Sequence, residues 1–474
     1  MLRLSELLME DWHLYEEASI ILRWARELFP DETAVTKLLV EALSKSGQDE
    51  EARKLSNELP PSDDPEELVT HALAQAAAFD HEKALQLLDR AIALAPDEER
   101  LYGRRGLIRF GTGSYDDAGL DLVRALLVSW WIPTPDEDFE PLLRGFKKIR
   151  SEVAGDPLGF KLIDVWAKLA KKKASAAKSL LSKVKEDHWA VFALRAVSVG
   201  PQQQDLEQKY LRLALERAPD EVPLLIRFTR HEREHVESFE AIVRNAPLWS
   251  EAHVLAAGAY LRARGLDKAL EHAQAAVDKF PQFYNSLKIR AEVRTKRHDL
   301  QGALADYDEL VDTYDDEDEP EEGDWDGGLW REELNSLRCA RGRVRLRLHD
   351  VEGAREDFDL AVTLGGDHEP WALFERGRFL AVIGEREKAL ADLNKGLAKV
   401  EYPEALSLRW KLRAKTGDLA GAEADHTRAR QLFEQRQSIT VRRRQKPEKG
   451  AKKKKGSAPG PKAAKPKKKR KKKS

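Results

Sequence analysis

Three copies of one pattern follow each other between residues 335 and 436, and they constrain the fold more than any other feature. Each copy has an arginine in a first helical stretch, then a short turn, then a small residue in a second stretch. The small residues Ala354, Ala389 and Ala422 recur at spacings of 35 and 33. A period near 34 built from helix, turn and helix is typical of a solenoid, in which each unit packs only against its neighbours. Such a fold predicts a binding role but does not name the partner.

The same period extends over much of the chain. Ala84 and Ala118 lie 34 residues apart, and so do Ala269 and Ala303. Ala303 and Ala354, in contrast, are separated by 51 residues. Since this spacing exceeds the period by about 17 residues, an insert is expected between these two units.

Two further features of the unit are small residues where the helices would touch and a proline at the unit's end. They are Gly106, Gly113 and Ala118 in one unit, Gly377, Gly384 and Ala389 in another, and the terminal prolines Pro96, Pro219, Pro247 and Pro281. In this pattern the chain resembles the tetratricopeptide repeat family. The resemblance implies an all-α, right-handed superhelical solenoid of antiparallel helix pairs. It implies little about function, because one fold hosts many ligands.

The regular and irregular stretches predict four parts. Residues 1–133 are expected to form N-terminal tetratricopeptide-like repeats, and residues 250–436 further repeats that contain an acidic insert at 315–326. Residues 134–249 look helical with irregular spacing, so they are either degenerate repeats or a small inserted helical piece. Nine of the twelve residues of the insert are acidic, so self-repulsion should keep it extended and solvated. Residues 437–474 are predicted to be a disordered, Lys-rich tail.

Charge is distributed very unevenly along the chain. The net charge is −2, but residues 441–474 contain 18 basic residues and one acidic residue, which gives +17. The other 440 residues therefore carry 63 basic and 82 acidic residues, which gives −19. An acidic body with a strongly basic tail points to electrostatic interactions of the tail.

Composition also narrows the class of protein and its location. A content of 42% hydrophobic and 35% charged residues suits a soluble helical protein with a large surface. A single cysteine, Cys339, excludes an internal disulfide framework. Charged residues interrupt the apolar N-terminal segment, and no apolar run approaches the roughly 20 residues of a membrane helix. We therefore expect a cytoplasmic protein with no membrane span, with the nucleus as the alternative if the source cell has one.

An arginine and an aspartate occur together in five repeat units. The arginine is the seventh residue of the unit and the aspartate is the twenty-third, on the second helix. The pairs are Arg105 with Asp121, Arg290 with Asp306, Arg341 with Asp357, Arg376 with Asp392, and Arg409 with Asp425. Because other units lack both residues together, we expect an ion pair between helices, within a unit or across to the next. The alternative is a row of ligand-binding arginines.

The first helices carry a second set of candidate residues. The family resemblance implies that first helices line the concave face and that five positions of each point into it. In the last four units these positions include Lys288, Lys296, Arg343, Arg347, Trp371, Phe374, Arg378, Lys411 and Lys415. A basic wall with two aromatic residues suits an acidic segment or a chain-terminal carboxylate. The alternative is a solvated charged face.

The tail is dense enough in lysine to bind polyanions in a sequence-independent, salt-dependent manner. The residues concerned are Lys452, Lys453, Lys454, Lys455, Lys467, Lys468, Lys469, Arg470, Lys471, Lys472 and Lys473. Aromatic residues are not interleaved with them, so base stacking is not expected. Three targets stay open, namely nucleic acid, an anionic membrane or acidic protein, and the chain's own acidic body.

Catalytic motifs are not evident. The stretch His231–His235 matches a zinc-protease signature, but its intervening residues are charged and the repeat register places it at a turn. Zinc chemistry needs two histidines one turn apart on a helix and a third ligand. Cys339 is expected to be a small helix-packing residue. We therefore predict no enzyme activity, no cofactor and no metal site.

The leading prediction is a non-enzymatic scaffold or adaptor that binds a protein or peptide on its concave face. The polybasic tail would serve as an electrostatic anchor or in autoregulation. The alternative is a nucleic-acid-associated protein whose Lys-rich tail binds DNA or RNA while the repeats recruit partners. The oligomeric state is left open.

Overall fold

The computed structural model describes residues 2–444 except 11–13, 31, 60, 130–145, 147–148, 151–152, 154–156, 200–202, 234, 282, 317–324 and 366–369. The described residues form 24 α-helices and no strand. Consecutive helices, joined by short turns, pack against each other in pairs. The prediction of an all-α fold built from antiparallel helix pairs is therefore confirmed.

The helices fall into two compact units, unit 1 (residues 1–318 and 347–349) and unit 2 (residues 319–346 and 350–474). Unit 1 contains α1 (Leu2–Glu10), α2 (Tyr15–Leu28), α3 (Thr33–Lys45), α4 (Asp49–Glu58), α5 (Pro65–Ala77), α6 (His81–Leu94), α7 (Glu99–Gly111), α8 (Tyr115–Val128), α9 (Leu158–Ala170), α10 (Ala174–Leu181), α11 (Trp189–Val197), α12 (Gln204–Leu215), α13 (Val222–Thr229), α14 (Val236–Asn245), α15 (Ser250–Arg262), α16 (Leu266–Lys279), α17 (Tyr284–Lys296) and α18 (Leu300–Asp316). Unit 2 contains α19 (Trp325–Arg347, apart from its last residue), α20 (Val351–Gly365), α21 (Pro370–Ile383), α22 (Arg386–Leu397), α23 (Pro403–Thr416) and α24 (Leu419–Arg444). None of these helices is both long and apolar enough to cross a membrane.

Nine turns inside helix pairs share a backbone feature among the described residues. Just after the first helix of these pairs, one residue has a positive φ angle. The glycines in this place are Gly47, Gly113, Gly384 and Gly417, with φ from 78° to 95°. The other residues are Phe79, Lys172, Arg264, His298 and His349, with φ from 54° to 66°. A left-handed residue after the last helical turn ends the helix and reverses the chain.

Small residues allow the two helices of a pair to approach closely. The recurring alanines Ala84, Ala118, Ala269, Ala303, Ala354 and Ala389 are fully buried, and Ala422 is 5% exposed. A Cβ atom at Gly377 would lie 3.2 Å from Cγ of Leu393, so only glycine permits this spacing without adjustment. The residues that carry the family resemblance therefore lie at the contacts between helices.

The irregular stretch after α8 interrupts the succession of neighbouring helix pairs. Helix α9 packs against α8 through Gly119 and Gly159, and a Cβ atom at Gly119 would lie 2.7 Å from Cα of Gly159. Helix α13 then also packs against α8. There, Arg124 Nε donates to Glu221 Oε1 at 2.8 Å, although the two residues are 97 positions apart. Helices α9 to α12 are thus inserted between two pairs that are neighbours in space.

The acidic insert and the tail differ in part from the prediction. Helix α18 continues through Asp316 and α19 begins at Trp325, so both ends of the insert at 315–326 are helical rather than extended. Helix α24 continues to Arg444, so the first eight residues of the predicted disordered tail are helical too. The physical reason is that an existing helix extends more easily than a new one forms. Residues 317–324 and 445–474, with all the tail lysines named above, lie outside the described residues.

Candidate functional site

All five arginine–aspartate pairs lie within hydrogen-bond distance. The distance from Nη2 to Oδ1 is 2.6 Å in Arg105–Asp121, 2.6 Å in Arg290–Asp306, 2.7 Å in Arg341–Asp357, 2.9 Å in Arg376–Asp392 and 2.7 Å in Arg409–Asp425. In each pair Nε donates to the same carboxylate as well. The pairs are therefore bidentate, and each joins the first and second helices of one unit.

Most of these aspartates accept from a second arginine one turn further along the first helix. Arg109, Arg294, Arg345 and Arg413 donate Nη1 to the aspartate of their own unit at 2.7, 2.8, 3.2 and 3.0 Å. In the remaining unit Leu380 occupies this place. Sequence reasoning missed the second arginines, although their recurrence four residues after the first arginine was a readable signal.

The first arginine of a pair also contacts the second helix of the preceding pair. Its Nη1 lies 2.7 Å from Asp89 Oδ1 in Arg105, 3.3 Å from Gln274 Oε1 in Arg290, 3.0 Å from Asp359 Oδ1 in Arg376 and 2.9 Å from Asn394 Oδ1 in Arg409. One guanidinium group thus connects three helices. This use of the donors inside the protein favours a structural role over a row of ligand-binding arginines.

The aspartates of these pairs are more deeply buried than their arginines. The side chains of Asp121 and Asp357 are 0% and 1% exposed, while those of Arg105 and Arg341 are each 10% exposed. Burial lowers the pKa of Arg105, but its hydrogen bonds and charge contacts with Asp121 and Asp89 outweigh this and raise the pKa overall. The pairs therefore form a charged network inside the stack.

The repeat that begins with α15 replaces the ion pair with a chain of hydrogen bonds. His253 Nδ1 lies 3.2 Å from His272 Nδ1, His272 Nε2 lies 3.2 Å from Glu240 Oε1, and Lys279 Nζ lies 3.1 Å from His253 Nε2. Since Lys279 can only donate and an ionised Glu240 can only accept, both imidazoles are neutral and donate towards Glu240. Burial, together with the charge of Lys279, lowers the pKa of His253 to about 4.

Two arginines of the predicted groove contact one buried carboxylate in unit 2. Glu375 Oε2 accepts a hydrogen bond from Arg378 Nη2 at 2.5 Å and forms an ion pair with Arg343 Nη1, 3.2 Å away. The Glu375 side chain is 4% exposed, whereas Arg343 and Arg378 are 40% and 52% exposed. We call Arg343, Glu375 and Arg378 the two-arginine site. Its side chains carry a net charge of +1, and sequence reasoning missed Glu375.

The two aromatic residues of the predicted groove have different environments. Trp371 is 43% exposed and packs edge-on against Tyr402, with ring centroids 5.3 Å apart. Phe374 is buried and stacks on Tyr402. The prediction that Phe374 lines the groove is therefore wrong. The reason is Gly396, where a Cβ atom would overlap the Phe374 ring, so the missing side chain creates space for the ring in the core.

The cations on α23 continue the row that includes the two-arginine site. Lys411 occupies the same ninth position in its helix pair as Arg343 and Arg378 do in theirs. Lys411 and Lys415 are both exposed, and neither forms an ion pair with any described residue. Unit 2 therefore presents three cations at equivalent positions of successive pairs.

The remaining residues of the predicted groove have other contacts. Lys288 lies over the ring of Tyr284, 5.6 Å from its centroid, and Lys296 is exposed at the end of α17. Arg347 is exposed and donates Nη1 to the carbonyl of Thr295 at 3.2 Å. These residues belong to unit 1.

Cys339 and the histidine stretch take no part in this site. Cys339 is 1% exposed and lies in the apolar core of unit 2. His231 and His235 lie in the turn between α13 and α14 rather than on one helix. His235 Nδ1 is 3.0 Å from the hydroxyl of Ser238. Within the described ranges, no three His, Cys, Asp or Glu side chains are grouped as metal ligands.

Comparison with known proteins gives similarity in solved structures only. No protein-family model and no curated protein matches the chain. Matched structures include the APC/C hetero-tetramer Cut9–Hcn1 (15% identity, 90% of this chain and 86% of that chain, TM-score 0.34) and yeast Tom70 (15% identity, 85% and 97%, TM-score 0.34). A third is a monomeric mutant of IFIT1 with m7Gppp-AAAA (16% identity, 83% and 95%, TM-score 0.33). These TM-scores are too low to support an argument about the fold, so the fold is identified from the helix contacts of this chain.

Those contacts show successive helix pairs, several of which recur about every 34 residues with a buried alanine where the helices touch, and nine described turns inside pairs contain a left-handed residue. The fold is therefore a tetratricopeptide-like helical repeat. The architecture presents the first helices of successive pairs side by side. In unit 2 it places Arg343 on α19 close enough to α21 to share a carboxylate with Arg378.

Proposed function

We propose that this protein is a scaffold that binds partner proteins, and that unit 2 binds a partner segment rich in carboxylate groups. The observation that supports this proposal is the two-arginine site. Two half-exposed guanidinium groups from successive helix pairs are oriented by one buried carboxylate. The predicted concave surface of the repeats would then contain a defined anion-binding position.

The buried carboxylate of Glu375 makes the arginines better suited to ligand binding. Each guanidinium has five N–H donors, and Glu375 accepts from only part of them. Since Glu375 already restricts the two long side chains, less conformational entropy is lost when a ligand binds. A ligand carboxylate can then accept parallel hydrogen bonds from one guanidinium.

Neighbouring side chains extend this surface. Lys411 adds a third cation in register, and Trp371 offers a partly exposed aromatic ring. Aromatic rings contribute large apolar contacts in peptide-binding surfaces. We therefore propose a ligand in which acidic residues lie beside an apolar or aromatic residue.

A titration of a fluorescent hexaglutamate peptide tests this function. The protein should end at Arg444, which keeps every described helix and removes the lysines of the tail as competing sites. Because hydrogen bonds to charged groups contribute about 1.5–3 kcal/mol, Arg343→Gln or Arg378→Gln should weaken binding about 10- to 100-fold.

The matched control is Lys388→Gln on α22. Lys388 is 71% exposed and pairs with Glu385, so the control removes the same charge from a second helix. It should change the dissociation constant less than twofold or so, because distant exposed charges are screened. Equal losses in all three variants, or no loss in the arginine variants, would show that the two-arginine site does not bind the peptide.

A further inference from the structure

Helix α2 exposes a stripe of large apolar side chains. Ile20, Trp24 and Leu28 are 46%, 59% and 62% exposed, and Phe29 directly after the helix is 59% exposed. The spacing of four residues places the three helical side chains on one face. Exposed apolar groups of this kind mark interaction surfaces.

This stripe is additional to the apolar face that α2 uses for folding. Ala18, Leu22 and Ala25, on the opposite face, are at most 1% exposed and belong to the core that α2 forms with α3. The core therefore does not require Ile20, Trp24 and Leu28. Helix α2 is apolar on two faces, and only one of them is covered within the described residues.

Acidic side chains border the stripe. Glu16 and Glu17 lie at its N-terminal end and Glu27 near its C-terminal end, and all three are exposed. At 100° per residue, the three glutamates and the three apolar residues occupy an arc of about 120°. None of the three carboxylates has an ion-pair partner among the described residues.

The basic residues of α2 do not neutralise this border. Arg23 Nη2 lies 2.8 Å from Glu51, and Arg26 Nη2 lies 2.6 Å from Glu58, both on α4. These ion pairs direct the arginines towards the neighbouring helix. The exposed face thus combines an apolar centre with unpaired negative charge.

We propose that this face of α2 binds an amphipathic helix of a partner protein, with an apolar stripe and lysine or arginine residues on both sides of it. The apolar side chains would pack against Trp24 and its neighbours. The basic residues would pair with Glu16, Glu17 and Glu27, and burial of Trp24 would supply the central contact. This surface lies in unit 1 and is independent of the two-arginine site.

Two other occupants are disfavoured by charge and composition. A second copy of the chain packed antiparallel on the stripe would bring the acidic N-terminal end of one stripe near the acidic C-terminal end of the other, with like charges opposed. The chain's own tail has the required charge, but residues 445–474 contain no apolar residue larger than proline. The tail therefore cannot fill the apolar stripe.

A designed peptide provides the test with the full-length protein. The probe is a labelled 21-residue helix with leucines at every third or fourth position and lysines beside them, and its partner probe has glutamates in place of the lysines. The lysine peptide should bind in a manner that depends on Trp24, whereas binding of the glutamate peptide to the tail or the two-arginine site should not depend on Trp24. Trp24→Ala should weaken binding about tenfold or more, as expected for a central tryptophan. Leu360→Ala, at a 47% exposed leucine on α20, is the matched control and should have no effect.

A charge-reversal variant distinguishes specific binding at this surface from nonspecific hydrophobic binding. Glu17→Lys combined with Glu27→Lys should weaken binding of the lysine peptide and give the glutamate peptide a binding component that is lost in Trp24→Ala. Binding that is unaffected by Trp24→Ala would overturn the proposal. So would sedimentation showing a dimer that Trp24→Ala dissociates, since a second copy would then occupy the stripe.

Discussion

At Asp357, two arginines from successive turns of α19 donate to one carboxylate. Arg341 makes the bidentate contact and Arg345 Nη1 lies 3.2 Å away. The same arrangement recurs at Asp121, Asp306 and Asp425. Removing the carboxylate would leave two guanidinium groups without a shared anion in a desolvated place. Each aspartate is therefore expected to matter more than either arginine.

Asp357→Asn should lower the free energy of unfolding by about 3–5 kcal/mol, because it leaves buried charges unpaired. Chemical denaturation followed by circular dichroism measures this change. Arg341→Gln and the double variant complete a mutant cycle, and strictly additive losses would count against direct coupling of the two residues.

The control for this cycle is the exposed pair of Arg428 and Glu401. Their side chains are 42% and 50% exposed, and they also lie within hydrogen-bond distance. Exposed ion pairs contribute little to stability, so Glu401→Gln should leave the free energy of unfolding nearly unchanged. A loss as large as that of Asp357→Asn would mean that burial is not the cause.

His253 should make stability sensitive to mild acid. Its folded pKa of about 4 lies below the ordinary value of 6.5, so its contribution is complete above pH 6.5 and is lost as pH falls towards 4. The shift corresponds to at most about 3 kcal/mol. Protonation at Nε2 would also place an N–H donor against the Lys279 ammonium group, 3.1 Å away.

The measurement is the free energy of unfolding between pH 7.5 and 4.5, compared with His253→Gln. Carboxylates titrate in both proteins, so the difference between the two curves isolates the histidine. The wild-type protein should lose more stability on acidification. Parallel curves would show that His253 is not buried as a neutral group.

Local sequence information was sufficient for the arginine–aspartate partners but not for Phe374. The partners could be predicted because repeat units that have the arginine also have the aspartate, whereas other units lack both residues. The environment of Phe374 depends on Gly396 and Tyr402, which are distant in sequence and contribute space and a stacking surface. Helical register alone cannot show such a cavity.

The contact between α8 and α9 depends on two glycines. A Cβ atom at Gly159 would overlap the backbone of Tyr115, and Gly159 N donates to Asp116 Oδ1 at 2.6 Å. Backbone atoms cannot move aside as a flexible side chain can. The position of α9 therefore depends directly on Gly159.

Gly159→Ala should lower the free energy of unfolding by about 1–3 kcal/mol, the usual effect of overpacking. Hydrogen exchange should also rise in α9 more than in the other helices. The control is Gly111→Ala near the end of α7, where a Cβ atom would meet nothing within 4 Å. This control should be neutral or slightly stabilising, because alanine favours helix. Equal stability of the two variants would contradict the close packing.

The helices themselves could be predicted, but the insertion of α9 to α12 between two neighbouring helix pairs could not. Periodicity identifies a helix from its own residues, whereas the return of α13 to α8 rests on pairs such as Arg124 and Glu221. A separation of 97 residues leaves no local signal. The turns at Phe79 and His298 have a positive φ angle without a glycine, so a search for glycine does not find them.

For the whole molecule, the separation of charge predicts a second kind of binding. Residues 441–474 carry +17 and the rest of the chain −19. Filter binding to double-stranded DNA and to RNA should show weak, sequence-independent affinity of the full-length protein that falls steeply with salt. A protein ending at Arg444 should lose this affinity.

The two truncation outcomes separate the competing roles of the tail. Retention of nucleic-acid binding without residues 445–474 would assign it to the folded units instead. If the tail occupies the acidic body, its removal should raise affinity for a basic peptide at low salt, because exposed charges are least screened there. If truncation changes neither nucleic-acid binding nor basic-peptide binding, then the tail has neither of these electrostatic roles.

The central claim is that Arg378 contacts a ligand carboxylate, and a mutant cycle across the complex measures this directly. Each glutamate of the hexaglutamate peptide is changed to glutamine in turn, and calorimetry gives the affinity for the protein ending at Arg444 with and without Arg378→Gln. Direct contact predicts that at least one glutamate couples to Arg378 by more than about 1 kcal/mol. Additive effects at all six glutamates would contradict the proposed site.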